Sequence, residues 1–350
     1  MFRTTRHLIA ILLGVLLVGA IASHAGAQGS WVTSPAAQSL YEKAKAEKEV
    51  VIWGPDDDEL NWIAAPFNKR FPGIEVKASA DRAATTKAIA ESRAGRHAVD
   101  VFLWSLGGIL PLQERAMLGP NDWALWGVNP DDVFFGGNAA ASHNLLYAVV
   151  YNSDRVKESE LPKTWEGFLD PRFKGKLFAS DFLMPRFLGF LALAWGEEKT
   201  LEFFRALRDR AEIQVVSGNA PRDAILKSGE RLISIGDFVS NAVLWKSHGV
   251  PAAWHVLSPT GSGQFVVTPL AKAPHPSAAK LLAGWITTDE AKETRERIRF
   301  VADLRPGSRS KLAAQFRSLG LKIVYEDVAN MKQRADYYNK FSPIVSGQQK

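Results

Sequence analysis

The 350-residue sequence contains no cysteine, which excludes disulfide bridges, thiolate metal centres and a cysteine nucleophile. It also lacks any long run of lysine or arginine, and 43 basic against 37 acidic residues leave a formal charge of only +6. Proteins that track a phosphate backbone concentrate their positive charge, so nucleic acid is not an expected partner. Beyond the N-terminus no apolar run approaches the ~20 residues that span a bilayer. Catalytic motifs are missing as well. There is no GxSxG elbow, no GxxxxGK[ST] phosphate loop and no GxGxxG fingerprint, and His97, His143, His248, His255 and His275 never fall at HxxxH or HExxH spacing. What remains is a chain with 46% hydrophobic and 23% charged residues, a balance that builds a core rather than a disordered coil. Its length suggests about two domains of ~150 residues.

The N-terminus reads as a leader rather than as part of the fold. Arg3 and Arg6 precede an apolar run from Leu8 to Ala22, and the small residues Ala25, Gly26 and Ala27 follow. That order is a secretory signal peptide, with cleavage expected after Ala27. No cysteine follows to carry a lipid anchor. Loss of Arg3 and Arg6 lowers the formal charge from +6 to +4.

The remaining chain alternates strands and helices. Ser39 to Lys48 reads as a helix, Glu49 to Trp53 as a strand, and Asp56 to about Arg70 as a second helix with acids at its start. Ile74–Ala78 and Val99–Trp104 are further strands, with a helix from about Thr85 to Ala94 between them. Strand, helix, strand at this spacing implies right-handed crossovers and a parallel sheet. In such sheets ligands gather beyond the carboxyl ends of the strands, which here means Trp53–Asp58, Ala80–Thr85 and Trp104–Gly108. A long apolar strand, Leu145–Asn152, then leads to a second α/β unit, and Gln264–Thr268 reads as a return crossing. In the second unit Arg231–Ile235 is a strand expected to end at Gly236-Asp237-Phe238. The expected architecture is α/β, two lobes joined by two crossover strands that form a hinge.

Several blocks now carry a family resemblance. Val50–Trp53, Arg70–Val76 and Val99–Phe102 look like the first lobe of type II periplasmic solute-binding proteins. Val150–Asp154, Leu161–Glu166, Asp170–Lys176 and Ala273–Lys280 with Trp285 are similar to the ferric-ion-binding branch of these ABC-importer receptors (extracellular solute-binding protein family 1). The resemblance spans nearly the whole chain after the leader and implies lobe 1 at 28–146 and 265–300, and lobe 2 at 147–264 and 301–350. It also implies a periplasmic receptor that catalyses no reaction, needs no cofactor, acts as a monomer and delivers a small-molecule ligand to a membrane permease. In the ferric branch the metal is held by a His, a Glu and two adjacent tyrosines. Aligned on the flanking blocks, those positions fall at Asp57, Ser105, and Val239 with Ser240. Valine and serine supply no phenolates, and ferric iron wants anionic oxygen. Tyr337-Tyr338 is an adjacent pair, but it stands near the C-terminus, where the family places no ligands.

The candidate ligand-binding residues are therefore Trp53, Asp57, Arg82, Trp104, Ser105, Ser180, Asp181, Asn219, Arg222, Asp237 and Phe238. Trp53 and Trp104 serve equally well as core or as flat walls of an organic pocket. Asp57 fits a helix start as well as a ligand. Ser217-Gly218-Asn219 before the helix at Pro221 offers N–H groups to an anion, or a plain N-cap. Arg82 and Arg222 are suited to a bidentate grip on an acid. The expected ligand is a small organic anion. Ferric iron or another metal with a synergistic anion, held by Asp57, Asp237 and exogenous oxygens, is the alternative, and an exported enzyme on the same fold is a third.

Overall fold

Pro35 stands at the first position of α1 (Pro35–Glu47), where its missing N–H removes no helical bond. The structure, a computed structural model, describes residues 34–217, 222–305, 308 and 310–348. The expected leader at 1–27 and the candidate Asn219 lie outside these residues. β1 (Glu49–Gly54) follows α1 directly. The single helix expected from Asp56 to Arg70 is instead two, α2 (Asp57–Leu60) and α3 (Ala64–Arg70). Pro66 accounts for the break. In a continuous helix it would delete the bond to residue 62 and crowd that carbonyl, whereas as the third residue of α3 it has no helical partner to lose. Asp56 caps α2 by accepting from the Glu59 N–H at 3.0 Å.

β2 (Glu75–Ala80), α4 (Ala84–Arg93), β3 (Val101–Ser105) and the one-turn α5 (Leu110–Gln113) complete the first run. β1 lies between β2 and β3 and is parallel to both, as right-handed crossovers require. The chain continues through β4 (Val133–Phe134), β5 (Ala139–Asn152), β6 (Leu177–Ser180), α6 (Met184–Trp195), α7 (Glu197–Asp209) and β7 (Gln214–Val216). Next come α8 (Arg222–Ser228), β8 (Ile233–Phe238), α9 (Val239–Ser247), β9 (Ala252–His255) and β10 (Thr260–Pro269). The last elements are α10 (Pro276–Thr287), α11 (Asp289–Arg299), α12 (Lys311–Ser318), β11 (Ile323–Tyr325) and α13 (Met331–Val345). None of the described helices is long and apolar enough to cross a membrane.

The strands follow the order β2-β1-β3-β10-β5-β8-β6-β7. β6 is parallel to β7 and β8, so a parallel set stands at each end of the sheet. β5 and β10 join the two sets. All of β5 is buried, as expected of a strand covered on both faces. It pairs with β10 up to Leu146 and with β8 from Tyr147 onward. β10 likewise pairs with β3 through Phe265–Pro269 and with β11 through Thr260–Ser262. Two α/β lobes joined by two antiparallel crossing strands are therefore the architecture. Each lobe has its own core. One is built on Trp62, Phe67 and Trp285, the other on Trp165, Phe187, Phe204 and Phe341.

β8 runs three residues further than its apolar pattern suggests, through Gly236, Asp237 and Phe238. Gly236 makes this possible. Its φ is +68°, and a Cβ there would lie 2.8 Å from the Phe187 ring. Only glycine tolerates both.

Candidate functional site

A cavity of about 670 Å³ opens where the ends of the parallel strands face each other. On one side it is walled by Asp56, Asp57 and Asp58 at the start of α2, by Arg82 after β2, and by Trp104 and Ser105 at the end of β3. The opposite side brings Phe182 and Arg186 from the start of α6, Arg222 from α8, and Phe238, Ser240 and Trp245 from β8 and α9. The crossing strands supply Tyr147 and Phe265, and α13 adds Met331, Arg334 and Tyr338. Apolar walls with a few convergent charges at strand carboxyl ends are the usual form of a small-molecule site in this class of sheet.

Three guanidiniums approach one another across this cavity. Arg82 and Arg186 lie over the Phe182 ring, at 4.4 and 3.7 Å from its centroid. Arg186 also lies 4.1 Å from the centroid of Tyr338 and donates to the Phe182 carbonyl at 2.7 Å. Among the described residues neither Arg82 nor Arg186 forms an ion pair. Burial, together with the nearby Arg222 and Arg186, pulls Arg82 below the usual guanidinium range, against the opposing pull of Asp56 and Asp181. Arg222 is the exception, because Asp237 holds it at 2.5 Å.

The acidic side of the cavity is organised differently. Glu59 is buried, with the His143 Nε2 2.9 Å from its carboxylate and the Arg299 guanidinium 4.0 Å away. Burial alone would raise Glu59, but these neighbours and Arg295 hold it below the ordinary range. Burial lowers His143 in turn. Asp56 is open to the cavity yet ringed by protein atoms and by Glu59 and Asp58, and its carboxyl is pushed up to about 7.

The structure brings Asp57, Arg82, Trp104, Ser105, Arg222 and Phe238 together around the cavity. Trp53 is not among them. Its ring packs 6.0 Å from Phe102 under the Lys87 ammonium, so it belongs to the core behind the wall. Ser180 is also turned inward, its Oγ accepting from the N–H groups of Phe182 and Leu183. Asp181 is an acidic neighbour of Arg82 and does not line the cavity. Asp237 is 1% exposed and accepts from Arg222, Ser234, Asn241 and its neighbour's N–H. It positions the wall without reaching the cavity. Asp56 lies in the Trp53–Asp58 loop expected at the strand ends, whereas Arg186, Glu326 and Arg334 were not signalled by local sequence pattern, and Tyr338, of the adjacent pair set aside for its place near the C-terminus, lines the cavity after all. Tyr338 arrives from α13, far along the chain from the strand ends that mark the site.

The profile of bacterial extracellular solute-binding proteins matches residues 43–293. A protein of Haemophilus influenzae with no assigned activity is 30% identical over 154 residues, which is 41% of this chain and 43% of the length of that relative. Among solved structures, iron-bound HitA from Pseudomonas aeruginosa is similar in fold, with a TM-score of 0.70 and 16% identity over 85% of this chain and 99% of that one. AfuA from Actinobacillus pleuropneumoniae, a periplasmic binding protein with bound fructose-6-phosphate, gives a TM-score of 0.68 and 21% identity over 85% and 98%.

Proposed function

The chain belongs to the family of bacterial extracellular solute-binding proteins, and we propose that it captures a small organic anion and delivers it to the permease of an ABC importer. The observation that carries this reading is the pair Arg82 and Arg186. Both guanidiniums face the cavity, both stack on Phe182, and neither forms an ion pair among the described residues. Stacked arginines keep their donor edges available, the geometry that grips a carboxylate or phosphate bidentately. Trp104, Phe238 and Tyr338 then offer faces to the body of the ligand.

Two features favour an organic anion over iron, which the HitA structure is named as holding. Asp237, one of the two aspartates that a metal reading needs, has both oxygens engaged within the protein. The cavity, at about 670 Å³, suits a molecule of many atoms.

The leader completes the reading: cleavage after Ala27 releases the protein to the periplasm, with lobes at 28–146 with 265–300 and at 147–264 with 301–350. Contacts from both lobes would favour the closed state when ligand binds. The test is a thermal-shift screen of sugar phosphates, carboxylates, phosphonates, neutral sugars and ferric salts on the purified mature protein. Anions that raise the melting temperature support the proposal. A rise with iron or neutral sugars alone would overturn it, and turnover of the stabilising compound would indicate an enzyme. The intact mass of the exported protein should correspond to a chain beginning at Gln28.

A further inference from the structure

Glu326 lies just past β11, and its carboxylate reaches the cavity from the segment that leads into α13. The side chain is 4% exposed. One oxygen, Oε2, accepts from the Gln264 N–H at 3.0 Å. The other, Oε1, accepts from the Gly107 N–H at 3.3 Å and lies 2.5 Å from the Arg334 Nη1. These donors come from three separate parts of the fold, namely the turn after β3, the crossing strand β10 and α13. Arg334 is itself 9% exposed, sits 3.5 Å from the centroid of Phe190, and leaves its Nε without a partner among the described residues. Gly107 keeps its backbone bare here, since a Cβ would stand 3.1 Å from the Glu326 Oε1. Two converging backbone N–H groups and a buried guanidinium with a donor to spare form a cradle for a carboxylate from any source.

We propose that Glu326 is a built-in anion: the chain's own carboxylate fills a second anion-binding position in the cleft, and thereby makes the site selective for ligands with one acidic group. A ligand acidic at both ends meets the negative charge of Glu326 where its second group would settle. A ligand with a single acid is oriented with that group toward Arg82 and Arg186. The orientation and selectivity rest on the anion-receptor reading of the cleft, whereas the cradle itself does not.

The variant E326A removes the carboxylate and leaves Gly107, Gln264 and Arg334 in place. Acetate or formate, compared with chloride at equal ionic strength, should then refill the cradle. A rise of about 2–4 °C in melting temperature is expected at roughly ten times the dissociation constant. Wild-type protein and E326A/R334M should respond less than E326A, any rise reflecting only binding at Arg82 and Arg186. An E326A response no larger than that of wild type overturns the cradle, whatever the cleft binds. Should E326A fail to fold, E326Q keeps the size and removes the charge. Its melting temperature should then respond to glutarate more strongly than that of wild type, and equal responses overturn the selectivity. Failure of the anion-receptor reading appears elsewhere, as an R82M/R186M variant whose anion response equals that of wild type.

Discussion

The Asp237 carboxylate lies 2.5 Å from the Arg222 guanidinium, the acid buried to 1% exposure and the base at the cavity wall. The same carboxylate accepts from the Ser234 hydroxyl at 2.9 Å and the Asn241 amide at 2.5 Å. With the Phe238 N–H, which also donates to it, D237A therefore leaves four donors without their acceptor. Breaking a buried pair from one side costs about 3–5 kcal/mol, so urea unfolding should shift by that amount. Arg222 can still reach the cavity, and the folded variant should retain anion binding. Loss of binding at full folding would make Asp237 a ligand contact after all.

Arg82 and Arg186 test the anion site itself. Neither forms an ion pair among the described residues, and Arg82, though partly covered by the cavity wall, keeps surface open to solvent. R82M and R186M should each weaken the stabilising anion about 10- to 100-fold, as expected when a charged hydrogen bond to a ligand is removed. Melting temperatures without ligand should stay close to wild type. An equal loss for neutral ligands would point to a packing role for these side chains.

Asp56 gives the site a dependence on pH. In the folded chain it holds its proton to about 7, against 3.8 for the ordinary side chain. Burial and the neighbouring Glu59 are the leading causes. Between those values the folded state binds the additional proton, so the stability contributed by this group falls as pH rises through the window. Ionised Asp56 also repels an anion held at Arg82. Anion affinity should therefore decline between about pH 6 and pH 8 in the wild type, and D56N, which preserves the cap, should flatten the profile. An unchanged profile in D56N assigns the titration to another group.

Gly236 ties the extent of β8 to the core beneath it. Its φ of +68° and the Phe187 ring, 2.8 Å from where a Cβ would stand, act together. G236A should cost about 2–4 kcal/mol, combining an unfavourable left-handed residue with overpacking. Chemical denaturation of the variant measures it. A loss under about 1 kcal/mol would mean that Phe187 moves aside readily.

The alternation of apolar strands with helices was legible because both lobes repeat one local pattern, and Gly54-Pro55 and Pro72-Gly73 punctuate its first joints. The walls at Arg82, Trp104, Ser105 and Phe238 were legible for a related reason, as they follow strands whose carboxyl ends must face a ligand. Sequence could not separate Ser180 and Asp237 from these. They occupy equivalent strand ends, and only the third dimension shows their oxygens turned toward Phe182, Leu183, Ser234 and Asn241. Arg186 and Glu326 were missed, and Tyr338 was set aside, because they reach the cavity from a helix start and from the C-terminal arm. Nothing local in those segments differs from an ordinary amphipathic helix or turn, and their place is set by how α13 packs on α6.

Trp53 and Trp104 resemble each other in sequence, each closing an apolar strand, and the structure separates them. Trp53 is 6% exposed and packs within the core beside Phe102, whereas Trp104 is 9% exposed and borders the cavity. Trp104 also depends on the bare backbone of Gly108, where a Cβ would come within 2.2 Å of its ring. Truncating either ring removes a large buried surface, so W53A and W104A should each lose about 3–5 kcal/mol of stability. Binding distinguishes them. Ligand should quench the fluorescence of Trp104 and not that of Trp53, so W104F should lose most of the ligand-dependent change while W53F keeps it. Equal changes in the two variants would mean that Trp245, which also lines the cavity, or closure of the lobes reports ligand instead of Trp104.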